Sequence, residues 1–308
     1  NMVGGTIPSA VNVIGECGGK GVAIWDANSD GNKVYGNWIG FATNGTTNMP
    51  IAGEGIFIGN GAKANIVGGQ PLSYRNVVGN AALSAILLWK TNDNLIYGNW
   101  AGFQPAGEPA PCAAGGIILS DTASGNRIIN NFVGNVAGDG CALDNASQNT
   151  IQGNLIGFAY GGVIAAPIGQ RCLTAYNGSA NNLIGGIVSG QGNRFGNAQG
   201  GLAMWNAQAN TIQGNYFGLT KSNHPAGFTG EVIYLDSGSS DNWIGGTVIA
   251  ARNVITGGNN GIAIGGATTL RNRVRMNSIF GSRALGINLW GNYGAFGVTQ
   301  NDSLAADT

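Results

Sequence analysis

Short apolar segments alternating with period two recur along the whole chain. They are Val22-Ala23-Ile24-Trp25, Ile56-Phe57-Ile58, Ile86-Leu87-Leu88-Trp89, Ile117-Ile118-Leu119, Cys141-Ala142-Leu143, Cys172-Leu173-Thr174, Leu202-Ala203-Met204-Trp205, Val232-Ile233-Tyr234, Ile262-Ala263-Ile264 and Ile287-Asn288-Leu289-Trp290. Such alternation predicts strands with one face buried, and one strand repeated at a fixed period predicts a solenoid. Two asparagine motifs separate the apolar segments. In the first, two asparagines stand five apart around an Ile or Val, at Asn32/Asn37, Asn94/Asn99, Asn126/Asn131, Asn149/Asn154, Asn210/Asn215 and Asn272/Asn277. The second reads Asn-x-[Ile/Val]-Gly-Gly at Asn1, Asn65, Asn182 and Asn242, with another asparagine eleven residues on at Asn12, Asn76, Asn193 and Asn253.

These spacings predict an all-β fold, a single-stranded parallel β-helix of about ten coils arranged as five two-coil repeats of about sixty residues, in a single domain over 1–308. Each coil holds three short strands: one after each of two asparagines, and the apolar segment. With neighbouring strands about 4.8 Å apart, ten coils form a rod of roughly 45 Å. Val22, Ile24, Val34 and Ile39 are expected to point inward. The asparagines are expected to stack as a structural ladder along one edge, each amide bonding the coils above and below. Four longer excursions, at 41–53, 103–114, 158–170 and 219–230, are expected to fold over Trp38, Trp100, Leu155 and Tyr216 as a lateral ridge.

Composition supports this reading. The chain holds 56 glycines and 39 asparagines, the residues that enter left-handed backbone conformations at least cost and so suit dense turns. Lys plus Arg and Asp plus Glu number 14 each, for a formal net charge of zero, which excludes counterion-driven nucleic-acid binding. No apolar run reaches the roughly 18 to 20 residues of a membrane span, and the first residues lack the pattern of a signal peptide. The start at Asn1 fits a processed chain or part of a longer protein.

The segments Asn32-Lys-Val-Tyr-Gly-Asn-Trp-Ile-Gly40, Gly55-Ile-Phe-Ile and Asn65-Ile-Val-Gly-Gly69 resemble the parallel β-helix repeat family of large secreted bacterial surface proteins. The resemblance covers nearly the whole chain and implies a right-handed coil. It implies no one activity, since a fold of this kind hosts enzymes, tailspikes, adhesins and stalks. The family's pattern is departed from at the ends, where no amphipathic helix or polar cap is visible.

A glycosidase needs two carboxylates about 5 to 10 Å apart. Asp121, Asp139 and Asp144 are the best candidates, although Lys90, one coil before Asp121, also suits a surface ion pair. Trp25, Trp89, Trp205 and Trp290 end equivalent apolar segments and form a strip for stacking sugars or a partner if they face outward. Lone His224 lies in a loop and reads as a surface residue. Cys141 and Cys172, assigned the same inward position in successive coils, are within disulfide reach or remain free thiols, and Cys17 and Cys112 lie in loops.

Charge is uneven: Arg252, Arg271, Arg273, Arg275 and Arg283 lie near one end, and Glu16, Asp26, Asp30 and Glu54 near the other. Arg271, Arg273, Arg275 and Arg283 facing Glu16 and Asp26 would favour head-to-tail self-association at open strand edges. The leading expectation is therefore an extracellular or cell-surface structural or adhesive rod that assembles end to end. The alternative is a module that binds or degrades an extracellular polysaccharide. No cofactor, metal, nucleic acid or membrane insertion is expected.

Overall fold

The computed structural model describes residues 1–290; residues 291–308, the tail of the expected domain, lie outside the described residues. The chain is a right-handed parallel β-helix, with three sheets of ten strands each among the described residues. The first rung shows the plan: Met2–Gly4 lies in the first sheet, Val13–Ile14 in the second and Val22–Trp25 in the third. Each strand pairs in parallel with its equivalent one rung on, as in Val3↔Val34, Ile14↔Ile39 and Ile24↔Ile58.

Alternation decides which side chains fill the interior. In the third sheet the first and third positions of each strand point in, so Ile56, Ile58, Ile86, Leu88, Ile117 and Leu119 are fully buried. Val22, Ile24, Val34 and Ile39 join them in one continuous core.

The asparagines form two ladders, at both ends of the first-to-second sheet segment, rather than one along a single edge. Asn32, Asn65, Asn94, Asn126, Asn149, Asn182, Asn210, Asn242 and Asn272 make one chain of side-chain amides. Asn12, Asn37, Asn76, Asn99, Asn131, Asn154, Asn193, Asn215, Asn253 and Asn277 make the other. Asn99 shows the geometry: its Nδ2 donates to Asn131 Oδ1 at 3.0 Å and to the Val67 carbonyl at 2.9 Å, and its backbone N–H also donates to Asn131 Oδ1 at 2.9 Å. The ladders flank the first-sheet strand of each rung, five residues apart where the turn is tight, as at Asn94 and Asn99, and eleven where the Gly-Gly excursion intervenes, as at Asn65 and Asn76.

The four long excursions leave the second sheet at Gly40, Gly102, Gly157 and Gly218. All four have positive φ, 80° to 95°. A Cβ at Gly40 would fall 1.9 Å from the Gly79 carbonyl of the next rung, so the departure needs glycine both for conformation and for space. Each loop folds back through a bridge such as Phe41↔Asn48 or Phe103↔Pro109. Phe41, Phe103 and Phe158 are buried there with Trp100 and Leu155, and Trp38 is half-buried, while Tyr216 stays exposed.

Candidate functional site

The outward positions of the third sheet carry the polar and aromatic side chains that could meet a ligand. One column runs Trp25, Gly59, Trp89, Ser120, Asp144, Tyr176, Trp205 and Asp236. The next runs Ala23, Phe57, Leu87, Ile118, Ala142, Thr174, Ala203 and Tyr234. Trp25, Trp89 and Trp205 therefore face outward, as does Trp290, two positions on from Asn288, which pairs with Ala263. Trp25 is 44% exposed, and its ring stands 4.2 Å from Phe57 and 6.5 Å from Trp89, with Lys20 Nζ 4.8 Å from the Phe57 ring. At the far end Tyr234 lies 6.1 Å from Trp205 and 6.0 Å from Trp290.

Between these aromatic groups lies a polar centre that the sequence reading only half found. Asp139, just ahead of the strand Cys141–Asp144, is largely buried. Its Oδ1 accepts from the Arg171 backbone N–H at 3.0 Å and its Oδ2 from the Thr174 hydroxyl at 2.9 Å. Burial pushes this carboxyl above its ordinary value, and these hydrogen bonds and the Arg171 charge only partly offset that. The Tyr176 phenol is pushed up to about 12 by burial and by the nearby carboxylates of Asp144 and Asp139. The Arg171 guanidinium carbon lies 4.7 Å from the Trp205 ring centre.

The surface dips on both sides of this centre where a side chain is missing. Toward the first rung a depression of about 510 Å³ opens over Gly115 and Ala142, bounded by Ser84, Asp139 and Tyr176. Toward the last rung one of about 210 Å³ opens over Gly200, between Arg171 and Glu231. A Cβ at Gly200 would meet the Glu231 carbonyl at 2.9 Å, so a side chain there would crowd the next rung as well as fill the dip. Asn259 and Asn260 hold the Glu231 carboxylate in place. Tyr234 donates its hydroxyl to Asp236 at 2.5 Å.

The three aspartates of the polysaccharide-acting reading do not form one cluster: Asp121 and Asp144 are neighbours on adjacent rungs, the Asp121 N–H donating to the Asp144 carbonyl at 2.9 Å, and Asp139 stands apart. Asp139 and Asp144 flank one strand, five residues apart in sequence, which puts their backbones roughly 16 Å apart. Asp121 lies beyond the end of the preceding strand and pairs with Lys90 at 3.0 Å, both side chains more than 40% exposed. Asp144 Oδ1 accepts from Asn177 at 2.7 Å.

The assignment of Cys141 and Cys172 to one position is corrected by the pairing register. Cys141 faces Leu173, Cys172 lies one residue earlier, and all four cysteines are free. Gly140 occupies the position matching Cys172 one rung before; a side chain there must fit an inward corner, and the Cys172 thiol lies 3.4 Å from the Gly196 carbonyl. Cys112, expected in a loop, is buried. His224 is exposed in its loop. Among the described residues no three His, Cys, Asp or Glu side chains gather as metal ligands would, and no helix is long and apolar enough to cross a membrane.

The residues expected at the rod ends have mostly local partners. Arg271 grips Asp241 through two bonds of 2.7 and 2.6 Å, Arg283 donates to the carbonyls of Phe228 and Thr229, and Arg273 lies over Trp243. Asp26 accepts from Asn60 at 2.6 Å. Arg275 and Glu16 enter no ion pair among the described residues.

Fold and site together define a right-handed parallel β-helix with a polar, aromatic-flanked groove on the outside of one sheet. The chain matches no protein-family model and no curated protein. Among solved structures it is similar to a mutant of the periplasmic alginate epimerase AlgG, at 16% identity and a TM-score of 0.48, over 84% of this chain and 50% of that one. It is also similar to the gp42 tailspike of Acinetobacter phage vb_AbaP_AS12, at 9% identity and a TM-score of 0.45, over 94% of this chain and 51% of that one. The chain thus spans about half the length of each.

Proposed function

We propose that this protein binds a polysaccharide lengthwise along the outer face of its third sheet. The observation that carries the reading is the run of Trp25, Phe57 and Trp89, then the Asp139–Arg171–Tyr176 centre between its two depressions, then Trp205 and Tyr234, all on one face. Aromatic rings offer flat apolar platforms to sugar rings, and the polar centre offers fixed donors and acceptors to hydroxyls. Lys20 and Lys90 on this face are paired with Glu54 and Asp121, and Asp139, Asp144 and Glu231 outnumber Arg171, so an uncharged sugar chain fits better than a polyanion. An extracellular or cell-surface setting, where such polymers are met, belongs to the same proposal, as does end-to-end self-association.

The Asp139 environment favours a second reading, in which the groove also processes its ligand. A desolvated carboxyl with a raised pKa is suited to proton transfer. The nearest groove carboxylates, Asp144 and Glu231, are too distant by backbone spacing for two-carboxylate hydrolysis, so the chemistry would rest on Asp139 alone.

Isothermal titration against neutral and uronate-containing polysaccharides, with assays for reducing ends and unsaturated products, tests both readings. Binding of a neutral polymer that is weakened about tenfold by Trp89→Ala or Trp205→Ala supports the first. Binding indifferent to both overturns it. Product formation abolished by Asp139→Asn, with binding retained, supports the second.

A further inference from the structure

A second pocket lies away from the groove, at the corner where the first sheet turns into the second. It measures about 600 Å³ and is formed around the glycine-rich turn 186–192, with Asn130 and Gly153 on one side and Tyr216 and Lys221 on the other. That volume falls within the range of small-molecule sites. Its origin is legible in the repeat. The Gly-Gly excursion occurs at Gly4, Gly68, Gly185 and Gly245, but the rung of Asn130 turns tightly without it, leaving the wall of turn 186–192 unpacked on that side.

The pocket is cationic. Arg194 points outward in the second sheet, between Leu155 and Tyr216 of the flanking rungs. Its guanidinium carbon lies 4.1 Å from the Tyr216 ring, and its Nη1 donates to the Thr220 carbonyl at 2.8 Å, so the group is held in one orientation. Nε and Nη2 make no hydrogen bond to the described residues. Lys221 lies on the same loop as Thr220, which its backbone N–H ties to the Gly162 carbonyl at 2.8 Å. The lining contains no Asp or Glu, and neither cation enters an ion pair among the described residues. Arg194 is half-buried, and that burial disfavours its charged form with no carboxylate nearby to offset it. A fixed, partly desolvated guanidinium beside a lysine, in an open pocket without acids, is an arrangement that an oxyanion completes.

We propose that this pocket binds the charged group of a sugar acid or sugar phosphate, held by Arg194 and Lys221, with the sugar in the remaining volume. The site is separate from the groove on the third sheet and differs from it in sign: the groove is carboxylate-rich and the pocket cationic.

Equilibrium titration of the intact chain with glucuronate, glucose 1-phosphate, inorganic phosphate and glucose tests it. Glucuronate or glucose 1-phosphate should bind and glucose should not. Arg194→Gln and Lys221→Gln should each weaken binding about tenfold, the size of one charge-assisted hydrogen bond. Lys221 is exposed, so its variant tests the site without threatening the fold. Absence of binding by both charged sugars, equal binding of glucose, or affinity untouched by Lys221→Gln would overturn the proposal. Inorganic phosphate binding as tightly as glucose 1-phosphate would overturn its sugar component. Arg194→Gln and Lys221→Gln report on this pocket and Trp89→Ala and Trp205→Ala on the groove, so failure here and failure of the polysaccharide reading are separate results.

Discussion

Asn131 carries more than a turn preference. Its Oδ1 accepts from both the backbone N–H and the Nδ2 of Asn99, and its own Nδ2 donates to Asn154 and to the Ile96 carbonyl. Asn131→Ala would strand two buried donors at once, at about 1 to 3 kcal/mol each, so a loss of at least about 2 kcal/mol is expected in urea unfolding. Asn12 is exposed at the edge of the same ladder and donates only to Asn37 among side chains; Asn12→Ala should cost under about 1 kcal/mol. Equal losses at the two positions would show that the ladder is only a row of turn formers. Asp139 makes a prediction of the opposite kind. Burial raises its carboxyl above the ordinary 3.8, so the folded chain favours the neutral form. The stability that this group contributes is complete below pH 3.8 and is lost as pH rises through the folded value. Asp139→Asn mimics the neutral form. Its melting temperature should match or exceed that of the parent at pH 7, with the difference closing as the pH falls below 3.8, in thermal scans across pH.

Register between strands decides what the elements bring together. Period-two alternation located the third-sheet strands, and the asparagine spacings located the other two. A one-residue slip in two rungs hid the site. Cys172 and Val232 fill the inward corner that is glycine at Gly21, Gly55, Gly116 and Gly201, so each lengthens its apolar run by one residue and reads as the first position of the strand. With Leu173 and Ile233 as the true first positions, Tyr176 falls in the column of Trp89 and Trp205, and Arg171 falls beside Asp139. The signal was present: counting back from the outward aromatic at the strand end fixes the register wherever an aromatic stands there. Burial of Asp139 and the depressions over Gly115 and Gly200 depend on how rungs stack, which no spacing in one strand encodes. The same register bears on the cysteines. Burial pushes the Cys112 thiol up to about 11 and that of Cys141 up to about 12, and Cys172 is pushed up as well, so few thiolates exist at neutral pH. A thiol reagent applied to the folded protein should therefore modify only the partly exposed Cys17, with all four reacting after denaturation, and reductant should leave the melting temperature unchanged. Protection of Cys17, or a reductant-sensitive melt, would contradict the free-thiol arrangement.

At the scale of the whole molecule, the rungs turn one strand's outward positions into a track. Ser84 and Glu231 bound the two depressions and lie five rungs apart, which spans roughly 24 Å along the axis. A ligand on this track meets new contacts at each rung it crosses, first in the depressions beside Asp139 and Arg171 and then on the aromatic groups beyond them. Binding energy should therefore grow with the length of the sugar chain and level off once the chain spans the track. It should not be complete in a monosaccharide, as it would be in a closed pocket. Titration with a homologous series of oligosaccharides from the polymer that binds reads this directly. Trp25→Ala should cost affinity only for members long enough to reach that ring, by about 0.5 to 1.5 kcal/mol if one sugar is stacked, whereas Trp205→Ala, whose ring lies beside Arg171, should cost affinity in short members too. Affinity already at its limit in a monosaccharide, or a loss at Trp25 that does not depend on chain length, would mean that the ligand sits at one point on the face. The β-helix would then serve only as its scaffold.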